Sequence, residues 1–373
     1  MSDLENITVV ALEQAVAAPF ASSRLADAGA RVIKVERAGG DFARGYDRLV
    51  LGQSAYFVWL NRGKESVCLD LAVAADRNLL ASMLARADVF LQNLRPGSLA
   101  KLGLDSPSLR RRYSRLVTCD ISGFGNTGPR AGLKAYDLIV QGETGLCAIT
   151  GTAEGPARIG VSVCDIAAGM TAHSAILQAL FARERTGLGK SIQVSLFDSV
   201  ADWMNVPLLQ YLYGNVAVQR AGVSHPTIAP YGAYQCWDGK RIILSVQNER
   251  EWRKFCEEFL GRAEVAADPR FADNTARVAN RAALDELTAE VFAGLAESGA
   301  CERLERAGIA YGRLNDLGAA AEHPHLRFVS VETPGGEVRV VAPAAIFDCV
   351  APQARPVPGL DEHGAAIRAE FGV

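Results

Sequence analysis

Apolar residues set the rhythm of the first two hundred positions. "ITVVAL" (7–12) and "RVIKVE" (31–36) are strand-length runs rich in β-branched residues. Between them "APFASSRLADAG" (18–29) has helical character and closes on Gly29. The alternation continues with helix "DRNLLASMLARA" (76–87), strand "DVFLQNL" (88–94), helix "SLRRRYSRL" (108–116) and strand "LVTCDIS" (116–122). Strands spaced by helices predict a parallel α/β sheet of the Rossmann-like kind. After Asp165, "IAAGMTAHSAILQALFARE" (166–184) carries Ile166, Met170, Leu177, Leu180 and Phe181 at helical spacing. "KSIQVSLFDS" (190–199) then alternates as a strand.

From about residue 225 the texture changes. "HPTIAPYGAYQCWDGKRIILSVQ" (225–247) reads as short strands with Pro and Gly turns. "REWRKFCEEFLG" (250–261) and "RAALDELTAEVFAGLAE" (281–297) read as amphipathic helices. The expected organisation is a large α/β domain over 1–200, completed by about 330–373, and a smaller α+β domain over 225–320. No internal repeat is visible.

Composition narrows the class. The chain has 373 residues, 49% hydrophobic and 22% charged, which suits a globular protein with a substantial core. A net charge of −3 without a basic patch argues against nucleic acid. No apolar run reads as a membrane span, so no membrane partner is expected. "MSDLENITVV" lacks the basic and apolar regions of a signal peptide, and "AEFGV" is no peroxisomal tripeptide. Eight scattered cysteines without a CxxC pair fit reduced thiols and a cytoplasmic setting. The histidine pair of "HPH" (323–325) has no ligand-spaced cysteine or carboxylate cluster, so no metal site is expected.

Several motifs fall away on spacing. "GLGKS" (187–191) resembles the end of a P-loop, but Glu184 stands where its first glycine belongs and a strand follows, so no nucleotide triphosphate is expected. "LEQAVAAPF" (12–20) holds no GxGxxG, which disfavours a nicotinamide dehydrogenase. No GxSxG elbow is present. Cys164 has no neighbouring histidine to activate it and reads as a buried structural thiol. His173 falls on the apolar helix and reads as a core histidine.

Asp165 admits two readings. Asp is a favoured N-cap, worth about 1 kcal/mol. The same position at the positive end of a helix dipole favours an ionised carboxylate. Such a carboxylate can attack an activated acyl carbon. Local sequence does not choose between them.

A resemblance does. "LADAGARVIKVERAGGDFARG" (25–45), "YFVWLNRGKESVCLDL" (56–71), "ADVFLQNLRPGSLAKLGLD" (87–105), "ISGFGNTGP" (121–129) and "KAYDLIVQGETGL" (134–146) are matched in order. So are the D-x-x-x-G of 165–169, "LFARERTGLGKSIQVSLFDS" (180–199) and "DPRFADNTARVANRAAL" (268–284). Together they resemble the family III CoA-transferases, the group of formyl-CoA transferase and alpha-methylacyl-CoA racemase. The resemblance implies that Asp165 is a nucleophile that forms an aspartyl-CoA thioester, with acyl-CoA and a carboxylic acid as partners. Transfer of this kind conserves thioester energy without ATP. It places Ala15, Val16, Arg37, Asn93, Lys101, Lys134 and Tyr136 around coenzyme A. It also implies an interlocked homodimer, with which long linkers near 200–225 and 320–350 are compatible.

Departures from the family pattern refine that expectation. Racemase members have a His–Asp pair where this chain has Tyr136-Asp137, and a Glu in the segment "VQNER" (246–250). Gln247 and Asn248 are not proton-abstracting bases, which disfavours racemisation or epimerisation. The glycine run of formyl-CoA transferase is replaced by "GVSHPTIAPYG" (222–232), which weakens a formyl or oxalyl reading. "GYDRLVLGQSAYFVWLNRGKES" (45–66) is most similar to members acting on C4 and C5 dicarboxylates. An intramolecular C1–C4 shift on mesaconyl-CoA is one such reaction. Arg44, Arg48 or His225 would then hold the distal carboxylate. A non-catalytic acyl-CoA-binding protein is the reading from another class.

Overall fold

The computed structural model describes residues 3–348 and 354–372. The eighth cysteine, Cys349, and the ends of both termini lie outside those residues. The chain divides into two compact units: 1–146, 158–209 and 327–373 form the first, 147–157 and 210–326 the second.

The first unit is built on β1 (Thr8–Leu12), α1 (Ala17–Asp27), β2 (Arg31–Glu36), α2 (Ala55–Asn61), β3 (Lys64–Cys68), α3 (Ala74–Ala85), β4 (Val89–Gln92), α4 (Ser106–Arg112) and β5 (Val117–Ser122). Helix α5 (Asp137–Glu143) follows, and the chain then enters the second unit for a turn of helix α6 (Leu146–Ile149) and the two-residue strands β6 (Gly151–Thr152) and β7 (Gly155–Pro156). The long helix α7 (Val163–Thr186) leads into β8 (Ser191–Ser195), α8 (Leu196–Trp203) and α9 (Asn205–Gly214). The six-stranded sheet runs β3-β2-β1-β4-β5-β8, all parallel. Counted along the chain this is the doubly wound order 3-2-1-4-5-6, with the direction of winding reversing between β1 and β4.

Both faces of the sheet are covered, so β1 and β4 are apolar except for Thr8 and Gln92 at their ends. The tail returns to this unit. Hairpin β12 (Phe328–Thr333) and β13 (Gly336–Val341) packs Val331 with Phe57, Val58 and Val357. Helix α15 (Gly364–Phe371) inserts Ile367 and Phe371 beside Leu80, Met83 and Leu84 of α3.

Three expectations are corrected. Residues 196–199 are helix rather than strand, because Ser195 Oγ accepts the amide of Asp198 and donates its hydroxyl to the Asp198 carboxylate, an N-cap that starts α8. In α7 Met170 and Phe181 are exposed, while Ala168, Gly169, Ala172 and Ala179 are buried. The buried stripe is made of small residues because α7 approaches α1 closely. By length and mean hydropathy α7 also passes for a membrane span, although half of that window is buried in the protein. The glycines of "GLGKS" have structural work. Gly187 ends α7 with φ +72°, and a Cβ on Gly189 would sit 2.1 Å from the Leu116 carbonyl oxygen.

In the second unit a three-stranded antiparallel sheet joins β9 (Tyr231–Gln235), β10 (Arg241–Ser245) and β11 (Ala310–Arg313) in the order β11-β10-β9. Helices α10 (Glu249–Lys254), α11 (Asn274–Ala279), α12 (Arg281–Ala293) and α13 (Glu297–Ala307) surround a core of Trp252, Phe255, Phe259, Phe271 and Phe292. Asn248 starts α10 by accepting the Glu251 amide and donating to its carboxylate, so it serves as a helix cap.

Candidate active site

A cavity of about 490 Å³ opens in the first unit over the carboxyl ends of β1, β4 and β5. This is the reversal point of the sheet, where the loops after β1 and β4 diverge and leave a crevice. The two loops are tied across it: Asn93 Oδ1 accepts the Gln14 amide at 2.9 Å and Asn93 Nδ2 donates to the Gln14 carbonyl at 2.8 Å. Ala15 follows with φ +63°, a left-handed conformation uncommon for a residue with a Cβ. Its amide donates to Asp41 Oδ1 at 3.0 Å. Val16 and Ala17 then open α1 at the cavity wall. The first amides of a helix have no intrahelical acceptor, and Pro19 removes one of the four, leaving those of Val16, Ala17 and Ala18.

Asp165 lies across from this turn, in the first turn of α7 and one of the cavity-lining residues. It is the third helical residue, not the cap. Ser162 occupies the cap position and makes no side-chain cap bond. Asp137, at the start of α5, takes that role from a distance. Its Oδ1 accepts the Cys164 amide at 2.7 Å and the Asp165 amide at 3.4 Å. Asp137 Oδ2 accepts from Gln141, whose Oε1 accepts the Ile159 amide, so α5 also fixes the strand of chain leading into α7.

Gly169, one turn after Asp165, lets α7 close on α1. A Cβ there would lie 2.8 Å from both the Ala17 carbonyl oxygen and Phe20 Cβ. The D-x-x-x-G spacing therefore has a packing cause: residues four apart share a helix face, so the glycine that meets α1 holds Asp165 beside the turn at Ala15–Ala17.

Burial, and then the like charge of Asp137, raises the Asp165 carboxyl to about 7. The helix dipole would lower it, as the sequence suggested, but desolvation wins. Burial, Asp41 and Asp165 push the Tyr46 phenol up to about 12, which keeps it a hydrogen-bond donor. Tyr46 and Tyr56 meet edge to face at 5.4 Å and wall the cavity. Arg158 is the basic side chain among the lining residues, and its guanidinium bonds only the neighbouring carbonyls of Ile159 and Gly160 among the described residues.

Of the residues expected around coenzyme A, Ala15, Val16, Asn93 and Tyr136 line the cavity with Asp165. Arg37, Lys101 and Lys134 are exposed and stand outside it. Arg44 also lies outside. Its guanidinium pairs with both oxygens of Glu36, at 2.7 and 2.9 Å, and stacks 3.7 Å over Phe57. Arg48 is exposed outside the cavity. His225 belongs to the second unit, where it stacks on Tyr231. Cys164 is fully buried, and His173 is half-buried on α7. Sequence reading missed Gln14, Tyr46, Tyr56 and Arg158. For Arg158 a signal existed: an arginine seven residues before Asp165, in "ARIGVSVCD".

A carboxylate held at a sheet reversal point, without a dinucleotide glycine loop, places this chain among α/β proteins with an acidic group in the ligand crevice. The chain belongs to CoA-transferase family III, whose family model matches residues 4–364. It is therefore a transferase, and CoA thioesters are the substrates of such enzymes. It is 37% identical to an acetyl-CoA:oxalate CoA-transferase of Acetobacter aceti, over 98% of this chain and 95% of that protein. It is 34% identical to a succinate–glutarate CoA-transferase of Agrobacterium fabrum, over 99% and 95%. It is 31% identical to a succinyl-CoA:mesaconate CoA-transferase of Haloarcula hispanica, over 100% and 97%. A solved CAIB/BAIF family protein from Brucella suis matches with a TM-score of 0.85 at 35% identity, covering 99% of both chains.

Proposed function

We propose that the protein moves coenzyme A between short dicarboxylic acids through an aspartyl-CoA thioester on Asp165. The observation that carries this reading is the Asp165 carboxyl itself, titrating near 7 at the cavity wall beside the first amides of α1. The Asp165 carboxylate attacks the donor thioester carbonyl and releases the CoA thiolate, giving a mixed anhydride. Attack of the thiolate on the aspartyl carbonyl expels the donor acid and leaves the aspartyl thioester. The acceptor carboxylate attacks that thioester, and the same steps in reverse free Asp165. The amides of Val16, Ala17 and Ala18 are the donors placed for the tetrahedral oxyanions. Transfer outruns hydrolysis only if water is kept from the anhydride.

The cavity suits the acyl and thioester end of the substrate. Arg37, Lys101 and Lys134, exposed outside it, suit the anionic nucleotide end. Arg158 is the group for a distal carboxylate, in place of the already paired Arg44. The relatives support dicarboxylates, since oxalate, glutarate and mesaconate appear in their names. Mesaconyl-CoA, including its C1–C4 shift, is one substrate of that size. Oxalate is the second reading, favoured by the Acetobacter relative. The exposed apolar residues Trp203, Val206, Leu209 and Tyr213 along α8 and α9 support the homodimer expected of the family. A cytoplasmic setting is part of the same reading.

The test is incubation with an acyl-CoA followed by hydroxylamine or borohydride trapping and peptide mass spectrometry. Modification confined to the Asp165 peptide is expected. An unmodified peptide during active exchange rules the mechanism out. A donor–acceptor screen with oxalate, succinate, glutarate and mesaconate then assigns the acids.

A further inference from the structure

Beneath the Gln14–Ala17 turn lies a group of charges that the chemistry above does not use. The side chains of Glu13, Lys34, Asp41 and Lys64 are all 0% exposed or nearly so. Lys64 Nζ lies 2.6 Å from Glu13 Oε1, and Lys34 Nζ lies 3.4 Å from the same oxygen and 2.9 Å from Asp41 Oδ2. Ser22 donates to Glu13 Oε2 at 2.6 Å. The two carboxylates and two ammonium groups cancel in formal charge.

Stability alone does not account for this cluster. Lys34 interrupts a buried strand, where apolar residues are the natural choice. Buried ion pairs of this kind can often be replaced by apolar residues without loss of stability. Burial and the neighbouring Lys34 hold the Lys64 ammonium down at about 8, which marks the cost.

The bonds of the cluster converge on one segment. Glu13 begins it, Asp41 Oδ1 takes the Ala15 amide, and Lys64 Nζ donates to the Pro19 carbonyl at 3.1 Å. Asp41 is itself held from the other side: its amide donates to Glu36 Oε2 at 2.8 Å, and Lys34 fixes its second oxygen. The residue bonded most directly, Ala15, is the one with φ +63°, a conformation disfavoured for a residue with a Cβ. Such strain persists only where surrounding bonds over-determine it.

We infer that Glu13, Lys34, Asp41 and Lys64 are positioning residues for the transfer reaction, with Asp41 as the contact that holds Ala15 left-handed and thereby sets the first amides of α1 opposite Asp165. The inference rests on the reading of Asp165 as nucleophile. None of the four touches the reacting atoms. Their effect passes through the backbone of Ala15 to Ala17, so it falls on kcat more than on KM.

Two double variants separate positioning from bulk stability. Lys34→Met with Asp41→Asn removes one opposite pair of charges but keeps an oxygen to accept the Ala15 amide. Lys34→Met with Asp41→Ala removes the same charges and the acceptor. The first should lower kcat by up to about tenfold, since the acceptor stays but Lys34 no longer fixes it, while the second should lose about a hundredfold or more with KM little changed, the scale of a small misplacement at a reacting centre. Adding Ala15→Gly to the second should restore part of kcat, because glycine takes positive φ without help. Asp41→Glu serves as the variant that keeps every charge: it displaces the oxygen by one methylene, and kcat of the folded protein, read well below its unfolding transition, should fall at least tenfold. Equal kcat in the two folded double variants, or parental kcat in Asp41→Glu, overturns the inference. Trapping of the Asp165 peptide in the parent protein is read in parallel. Its failure removes the nucleophile but leaves the comparison of variants intact.

Discussion

Two buried regions of this protein are built on opposite terms. The core of the second unit is aromatic and apolar: Phe255 and Phe259 stack at 5.1 Å, Phe259 meets Phe292 at 4.9 Å, and Trp252 lies against both Phe255 and Phe271. The ground beneath the site in the first unit is ionic, with four charged side chains and Glu36 sealed from solvent. Aromatic packing is non-directional and contributes mainly free energy. A buried charge network contributes little net free energy but fixes distances and angles. The difference separates the part that holds the chain folded from the part that holds a turn in place for chemistry.

The sharpest break in that contrast is Asp165→Asn. It should lower kcat by about four orders of magnitude or more, the scale for loss of a nucleophile. It should also make the protein more stable. The folded carboxyl titrates near 7 and an ordinary aspartate carboxyl at 3.8, so the native state keeps its proton longer than the unfolded state. Stability from this group is present at low pH and lost as pH rises through about 7. The variant should therefore gain on the order of 2–4 kcal/mol at pH 8 and almost nothing near pH 4, as urea titrations at the two values would show.

Phe259→Ala should behave in the opposite way. Truncating a fully buried phenylalanine costs about 3–5 kcal/mol, seen as a lower melting temperature, while kcat below the transition stays at the parental value. Gly169→Ala falls between the two. Its methyl meets the Ala17 carbonyl oxygen and Phe20, so it should cost roughly 1–3 kcal/mol and lower kcat as α7 moves from α1. Asp137→Asn is the mildest. It keeps an oxygen for the Cys164 amide and removes only the like charge, so the ionisation of Asp165 governing kcat/KM should move below 7 but stay above 3.8. A pH–rate profile of both proteins reads the shift.

Much of the scaffold was legible because its signals are local. β2 has the bounds its apolar run predicts, α1 and α3 lie within two residues of theirs, and α4 ends at Arg112, four residues short of its expected end. The start of α8 was also written locally, in Ser195 and Asp198, but the alternation of "SIQVS" masked it. The site was legible only in part, because its geometry is made by residues far apart in the chain. Asp137 caps a helix that begins 26 positions later, so the spacing around Asp165 suggested self-capping. Lys34 was visible as a charge inside a strand, yet its partners Glu13 and Asp41, and the Lys64 that shares Glu13, come from three other segments. Asn93 and Ala15 were named through the family resemblance, and the bond pattern that joins them to Gln14 and Asp41 exists only once the sheet is assembled.

The covalent role of Asp165 is tested most directly by oxygen tracing. An acceptor acid carrying heavy oxygen in its carboxylate is turned over with an unlabelled acyl-CoA, and the peptides are then weighed. Attack of that carboxylate on the aspartyl thioester places its oxygen in the bridge of the anhydride. Return of the thiolate to the acceptor carbonyl leaves that oxygen on the enzyme. The account predicts heavy oxygen in the carboxyl of Asp165 and in no other peptide. Continued turnover with an Asp165 peptide of ordinary mass would contradict it.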